Sequence, residues 1–233
     1  MLIKKLKRKM MYKSIHDKKE RKFHIVEQNT DEWLRLRSGK FTASSISNLL
    51  MGKKTKGYLD TIKKCAVERL SSEPVETEFF GTGYTERGHE LEFLAVKAYE
   101  ELTFSTVDSG GFYEFTDWAG ASPDGNIVEG DKNNGLECKC VGYKKFLDYI
   151  FNNELIKADY WKQVQAQIYV CGFEWVDIAV YYPNYRLLKV RIEPDEEMQT
   201  RIENEIELAK IEVEKLMEDI KKHRKDYKAD EET

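Results

Sequence analysis

Long apolar runs are missing from this chain of 233 residues. Segments such as Ile168 to Phe173 are among its longest. A membrane-spanning helix needs about 20 apolar residues, so a membrane span is not expected. No apolar core of a secretory leader follows the basic N-terminus, so export is not expected either, and a cytoplasmic setting fits. Cysteine is scarce. The four cysteines, Cys65, Cys138, Cys140 and Cys171, show no paired spacing, which suits reduced thiols rather than a disulfide framework. Internal repeats and low-complexity tracts are absent. Excess positive charge is absent too: the net charge of −4 is not that of a protein that coats nucleic acid.

What charge there is lies unevenly. Residues 1–22 carry ten Lys/Arg against Asp17 and Glu20, which leaves the rest near −12. The expected division is a basic, flexible arm over 1–22 and a single domain over 23–233. Three readings of the arm stand: contact with DNA phosphates, a disordered leader, or a translation start upstream of the natural one at Met10 or Met11. The remaining length is enough for one domain with a sizeable core.

Two short segments hold the densest chemistry. Ser122-Pro123-Asp124-Gly125 precedes Leu136-Glu137-Cys138-Lys139-Cys140, with Glu137 thirteen positions after Asp124. The second segment alternates apolar and charged residues, the period of a half-buried strand. Glu137 and Lys139 then share one face, and Leu136, Cys138 and Cys140 point into the core. Asn133-Asn134-Gly135 reads as a turn that folds a hairpin and brings Asp124 beside Glu137. Mg²⁺ takes oxygen ligands and is usually held by one or two carboxylates plus phosphate and water. Asp124 and Glu137 supply carboxylates, and Lys139 can orient a water or offset charge on phosphate oxygens. The pattern points to phosphodiester hydrolysis.

Two further groups join this site. The run from Thr85 to Glu101 predicts a helix on which Glu92 shares a stripe with Ala95, Val96 and Tyr99. A carboxylate there is compensated by a metal or a basic partner, or lies at the edge of a wide amphipathic face. Thr42 is a candidate N-cap for a helix through Leu50, which puts Ser44 in its first turn, where an anion is favoured. Arg37 can fork onto phosphate oxygens. A plain capped helix with a surface arginine reads the same residues without a ligand. Four cysteines could also hold an iron–sulfur cluster, but two of them facing the core from one strand fit buried thiols better.

These residues resemble the phage lambda exonuclease family, the YqaJ-type viral recombinases within the PD-(D/E)XK nuclease fold. The likeness runs from about Trp33 to Ile192 through five ordered blocks. They are Trp33 to Gly39 with Phe41 to Ser44, Arg87 to Glu92, Ala121 to Gly125, Gly135 to Cys140, and Tyr160 to Gln165. The resemblance implies that Asp124 and Glu137 bind metal, that Lys139 is the catalytic lysine, and that Glu92 completes the metal site. It implies that Gln163 helps position water or the metal shell, and that Arg37 and Ser44 grip a 5′-terminal phosphate. It further implies Mg²⁺, for which Mn²⁺ can substitute, and linear double-stranded DNA ends as substrate. With these come 5′-to-3′ exonuclease action that exposes 3′ single strands, a ring-shaped homotrimer, and a phage-type single-strand annealing partner. Alternatives are an endonuclease or Cas4-like nuclease of the same fold, or a non-catalytic DNA-binding module.

The expected architecture is α/β: a central mixed β-sheet flanked by helices, a restriction-endonuclease-like core, and a long C-terminal helix. Helices are expected within 30–50, then over Tyr58 to Leu70, Tyr143 to Asn152 and Asp159 to Cys171. Strands are expected over Gly111 to Phe115, Ala119 to Val128, Leu136 to Val141, Trp175 to Tyr182 and Arg186 to Ile192. The C-terminal helix starts at Pro194-Asp195 and carries Met198, Ile202, Ile206, Ala209, Val213, Leu216 and Ile220 at steps of three or four. That stripe could pack on the domain or on another subunit.

Overall fold

The alternation around Glu137 does form a strand, and that strand is the centre of the fold. The computed structural model describes residues 20–75, 83–129 and 132–231. Five strands make the main sheet: β2 (Thr106–Ser109), β5 (Gly125–Glu129), β6 (Lys132–Cys140), β7 (Val176–Tyr181) and β8 (Leu188–Ile192), in that spatial order. The β6–β7 pair is parallel and the other pairs are antiparallel, so the sheet is mixed as expected. A smaller sheet joins β1 (Lys22–His24), β3 (Phe112–Thr116) and β4 (Ala119–Ala121).

Helices cover both faces of the main sheet. They are α1 (Asp31–Arg37), α2 (Ala43–Leu49), α3 (Lys56–Ser71), α4 (Gly83–Thr103), α5 (Tyr143–Phe151), α6 (Glu154–Cys171) and α7 (Glu196–Glu231). On one face α4 packs Ala95 and Tyr99 against Ile127, Leu136, Cys138 and Ala179. On the other, α6 packs against Val176, Ile178 and Val180. Every residue of α6 from Val164 to Cys171 is buried, because the helix lies between the main sheet and the small one. A helix buried all round cannot be amphipathic. That is why polar Gln165 and Gln167 sit inside it with partners of their own.

The long helix α7 begins where Asp195 accepts from the Met198 backbone N–H at 2.7 Å. Ile202, Ile206, Ala209 and Val213 are buried in the main core, so this part of the stripe packs on the domain itself. Arg201 donates to the Leu50 carbonyl at 2.9 Å, and the Tyr58 hydroxyl donates to Glu212 at 3.0 Å, which fixes α7 against α2 and α3.

Three local expectations change. Strand β2 has no apolar alternation, only an edge position beside β5, so periodicity gave no sign of it. The stretch expected as one strand over Ala119 to Val128 is two strands in two sheets, and Ser122 to Asp124 is the crossing between them. Proline cannot donate to a ladder, and Pro123 marks the break. Asn133, Asn134 and Gly135 are not a turn. They pair with Val128, Ile127 and Asn126 inside β6, and the pairing continues to Glu129 opposite Lys132. The reversal therefore falls between those two, and Gly130 and Asp131 lie outside the described residues.

Residues 1–19 of the basic arm also lie outside the described residues, whereas Arg21 and Lys22 belong to the fold. Lys22 pairs with Glu114 in the small sheet. Arg21 donates to the carbonyls of Val170 at 2.9 Å and Tyr169 at 3.2 Å. A cation there satisfies the free carbonyls of the α6 C-terminus. Residues 1–19 are rich in Lys and Arg, and their high net charge opposes burial in a core, so removing them is expected to leave the melting temperature within about 2 °C, the scale of a change under roughly 1 kcal/mol. Removing 1–22 is expected to cost about 1.5–3 kcal/mol, the range for losing hydrogen bonds to a charged group. Thermal melts of the two truncations check this, and equal melting temperatures would contradict it.

Candidate active site

Glu137 projects from the α6 face of β6 and is 3% exposed. The strand is thus buried on both faces rather than half-buried, and a carboxylate in that position needs partners. It has three donors. Lys139 Nζ lies 2.5 Å from Glu137 Oε1, and Gln163 Nε2 donates to the same oxygen at 2.6 Å. Gln167 Nε2 donates to Oε2. Gln163 Oε1 also accepts from Lys139 at 3.4 Å. Gln163 and Gln167 are four residues apart, one turn of α6, and so face the same strand.

Asp124 comes from the crossing segment. Its backbone N–H donates to the Leu136 carbonyl at 3.1 Å, and its Oδ2 accepts from the Cys138 N–H at 2.7 Å. Two backbone bonds lock it to β6 beside Glu137. Gly110 presses on the same segment: a Cβ there would lie 1.6 Å from the Pro123 carbonyl oxygen, so only glycine fits. Glu92 reaches the cluster from α4, on the other face of the sheet, and lines a groove that it shares with Asp124. The side chains of Arg87 and His89, earlier on that helix, lie outside the described residues.

The electrostatics are those of crowded carboxylates. Burial, then the charges of Glu137 and Glu92, push the Asp124 carboxyl well above the usual range, against Lys139 and the Cys138 N–H. Burial works to lower Lys139, but the Glu137 carboxylate and Asp124 win and raise it. Lys139 is therefore an ammonium at neutral pH, a source of positive charge and not a base. Its Nζ also lies 5.1 Å from the centre of the Tyr160 ring.

The donor set fits a hard divalent cation. Asp124, Glu137 and Glu92 offer carboxylate oxygens, and a cation would relieve the repulsion that raises Asp124. Soft ligands are not part of it: burial pushes the Cys140 thiol up to about 11, and the Cys138 thiol well above its ordinary value. All four cysteines are free. As the side chains stand, no group of three or more acid, histidine or cysteine residues among the described residues is gathered closely enough to hold an ion. The Glu137 oxygens face amide and ammonium donors instead.

Arg37 and Ser44 lie nearby and line one cavity of about 570 Å³. The Arg37 guanidinium stacks 4.0 Å from the Trp33 ring centre and donates to Ser122 Oγ at 3.2 Å. Trp33 Nε1 donates to the same oxygen at 2.8 Å. Ser122 is two residues from Asp124, so this pocket and the carboxylates share one chain segment. Burial draws Arg37 down to about 10, with Glu68 acting the other way, and it remains charged at neutral pH. Ser44 is exposed, with its hydroxyl 3.3 Å from that of Thr42. The helix it opens, α2, ends at Leu49 and starts from a capping box of Thr42 and Ser45.

Every residue singled out in the sequence is thus placed. Glu137, Lys139 and Gln163 form one hydrogen-bonded cluster, Asp124 is locked beside it, Glu92 lies in the groove next to Asp124, and Arg37 and Ser44 line the adjoining cavity. Two were missed. Gln167 was legible only as a polar residue one turn from Gln163. Ser122 was legible only as part of its motif, because its partner Arg37 is 85 residues away.

A crossing segment with an aspartate, a strand with Glu-x-Lys, and a helix glutamine bound to both members of that pair stand together on this fold as a candidate nuclease centre. The YqaJ-like viral recombinase domain matches residues 32–174, and the chain belongs to that family. The alkaline exonuclease LHK-Exo from Laribacter hongkongensis is 27% identical, with a TM-score of 0.72 over 85% of this chain and 100% of that one. The same enzyme in complex with dAMP gives 26% and 0.73, with the same coverage. A phage-related exonuclease from Haemophilus somnus 129PT shares the fold at 17% identity and a TM-score of 0.59, over 80% of this chain and 99% of that one. The search of curated proteins gave no match. The protein is a nuclease. No helix among the described residues is long and apolar enough to cross a membrane.

Proposed function

We propose that this protein is a Mg²⁺-dependent exonuclease that degrades one strand of linear duplex DNA from its 5′ end and leaves a 3′ single strand for recombination. The observation that carries this reading is Glu137, a buried carboxylate held by Lys139, Gln163 and Gln167 beside the crowded Asp124. A pure binding module has no use for carboxylates facing a phosphate. Asp124 and Glu137 would hold the cation, with Glu92 completing its shell. Such a cation polarises the phosphate and lowers the pKa of a bound water, and Mn²⁺ could replace Mg²⁺. Gln163 and Gln167 orient the Glu137 oxygens. Lys139, freed from Glu137, sets its ammonium against the charge that grows on the phosphate oxygens. A basic arm ahead of a single nuclease domain, a ring-shaped homotrimer, a single-strand annealing partner and a cytoplasmic setting belong to the same proposal and rest on the family. The test is digestion of linear against closed-circular duplex: linear DNA is expected to be consumed and circles spared, whereas equal attack on circles would replace this reading with an endonuclease.

Polarity rests on Arg37. Its charge, its stacking on Trp33 and the Ser122 hydroxyl make a preorganised site for a terminal phosphate. Ser44, in the same cavity, would complete it. Arg37→Ala is expected to slow digestion of 5′-phosphorylated ends by roughly 10- to 150-fold, the equivalent of 1.5–3 kcal/mol for a hydrogen bond to a charged group. It should also erase the difference between phosphorylated and hydroxyl ends while leaving metal dependence unchanged. An Arg37→Ala enzyme that still prefers phosphorylated ends as wild type does would move the pocket elsewhere.

A further inference from the structure

The groove that holds Asp124 and Glu92 has an apolar side that carries two exposed side chains, Ile25 and Phe93. It has a volume of about 600 Å³, and its lining includes Ile25, Phe93 and Val96 together with three carboxylates, Glu27, Glu92 and Asp124. Phe93 follows Glu92 on α4 and is 59% exposed; Ile25 is 90% exposed. Single exposed apolar side chains are ordinary, but these two flank one groove that also holds two of the three proposed metal ligands, Asp124 and Glu92. Lys97, one turn after Phe93, places Nζ 4.4 Å from the Phe93 ring centre. An aromatic face, an aliphatic contact and a cation thus lie beside the point where a phosphate would be cut. Asn29 lines both this groove and the Arg37 cavity, so the two adjoin at Asn29.

We propose that this groove receives the nucleoside flanking the scissile phosphate, with its base stacked on Phe93 and packed by Ile25, and with Lys97 against the neighbouring phosphate. The occupant is a DNA strand because the groove holds carboxylates that would act on its backbone through a cation, and because Lys97, beside the Phe93 ring, supplies charge of the complementary sign. This deepens the nuclease reading and rests on it. Every base has a stacking face, so the contact holds any sequence.

The test uses equilibrium binding of 5′-phosphorylated duplex in chelator, with an abasic position placed in turn at each of the first three nucleotides. Wild type is expected to bind about 10-fold more weakly when the abasic position coincides with the groove, in keeping with the stacking of one base. Phe93→Ala should bind intact DNA about 10-fold more weakly and lose that sensitivity, while Phe93→Trp keeps it. The ring is exposed, so folding is not at stake, and matching thermal melts would show it. Ile25→Ala gives a second, smaller loss at the same position. If Phe93→Ala discriminates base from abasic position as wild type does, or wild type discriminates at none, the groove is not a base site. Asp124-dependent cleavage by wild type in that case leaves the nuclease reading standing, whereas absence of both binding and cleavage removes the two together.

Discussion

Asp124→Asn, Glu137→Gln and Lys139→Ala are each expected to lower cleavage of linear duplex by on the order of 10³-fold or more, the scale on which one preorganised electrostatic group acts. The reasons differ. An asparagine in place of Asp124 would still accept from the Cys138 N–H but would no longer bring a charge to the cation. A glutamine in place of Glu137 would keep the size of the side chain and lose its charge. Truncating Lys139 would leave Glu137 and Gln163 without the ammonium they share. The three should also differ in stability. Burial and neighbouring carboxylates push the Asp124 carboxyl up, so its ionised form at neutral pH costs folding free energy. A carboxyl raised in the folded state favours the fold when protonated and loses that advantage as pH rises through its folded value. Asp124→Asn is neutral at every pH, and in chelator at pH 7 it is expected to melt a few °C above wild type, the shift for about 1 kcal/mol. Lys139→Ala should melt lower, since it leaves a buried carboxylate without its cation. Cleavage rates with thermal melts in chelator measure both effects. Wild-type turnover in any of the three removes that residue from the mechanism.

The largest expected loss of stability lies away from the active site. Asp177 in β7 is fully buried on the α4 face of the sheet. It accepts from the Tyr99 hydroxyl at 2.8 Å, from Lys189 at 3.1 Å, and from Arg191 at 2.8 and 3.0 Å. Arg191 also lies 3.3 Å from the Trp175 ring centre. Asp177→Ala is expected to cost about 3 kcal/mol, the lower end for breaking a buried ion pair, because Lys189 and Arg191 are 30% and 41% exposed and can rehydrate. That corresponds to a fall in melting temperature of about 6–12 °C. Burial works to raise the Asp177 carboxyl, but its bonds to Arg191, Tyr99 and Lys189 prevail and hold it below the ordinary value. A depressed carboxyl stabilises the fold above its unfolded pKa, near about 3.9, and loses that contribution as pH falls through its folded value. The gap between wild type and Asp177→Ala should therefore be full at pH 7 and narrow below about pH 4. A gap that stays constant with pH would show that packing, not the carboxylate, carries the effect. Activity well below the melting temperature should persist, because Asp177 contacts none of the active-site side chains described above.

The residues of the proposed active site were legible because two constraints coincide in a short stretch. Alternation fixed Glu137 and Lys139 on one face of a strand, and the chemistry of phosphate cleavage explains the pair. Asp124 was legible through its spacing to that strand, although the turn inferred at Asn133 to Gly135 was misplaced. Asn134 is 1% exposed, a burial that no turn propensity anticipates. Strand β2 could not be read because four residues at a sheet edge carry no period. The role of Ser122 could not be read because it arises from a contact between α1 and the crossing segment, which only the tertiary fold brings together. Asp177 stood alone in the apolar run of β7, which is a signal of a buried charge, but its partners lie on other elements. The stripe of α7 showed that something covers it. The arginine and tyrosine contacts of that helix show that the domain covers it.

The most direct measurement of the central claim is release of label from linear duplex labelled at one 5′ end, by wild type and by Glu137→Gln, with Mg²⁺ and with excess chelator. The account predicts short labelled products from wild type with Mg²⁺ from the earliest times, and none from wild type in chelator or from the variant under either condition. Release in chelator, or by Glu137→Gln at the wild-type rate, would contradict it.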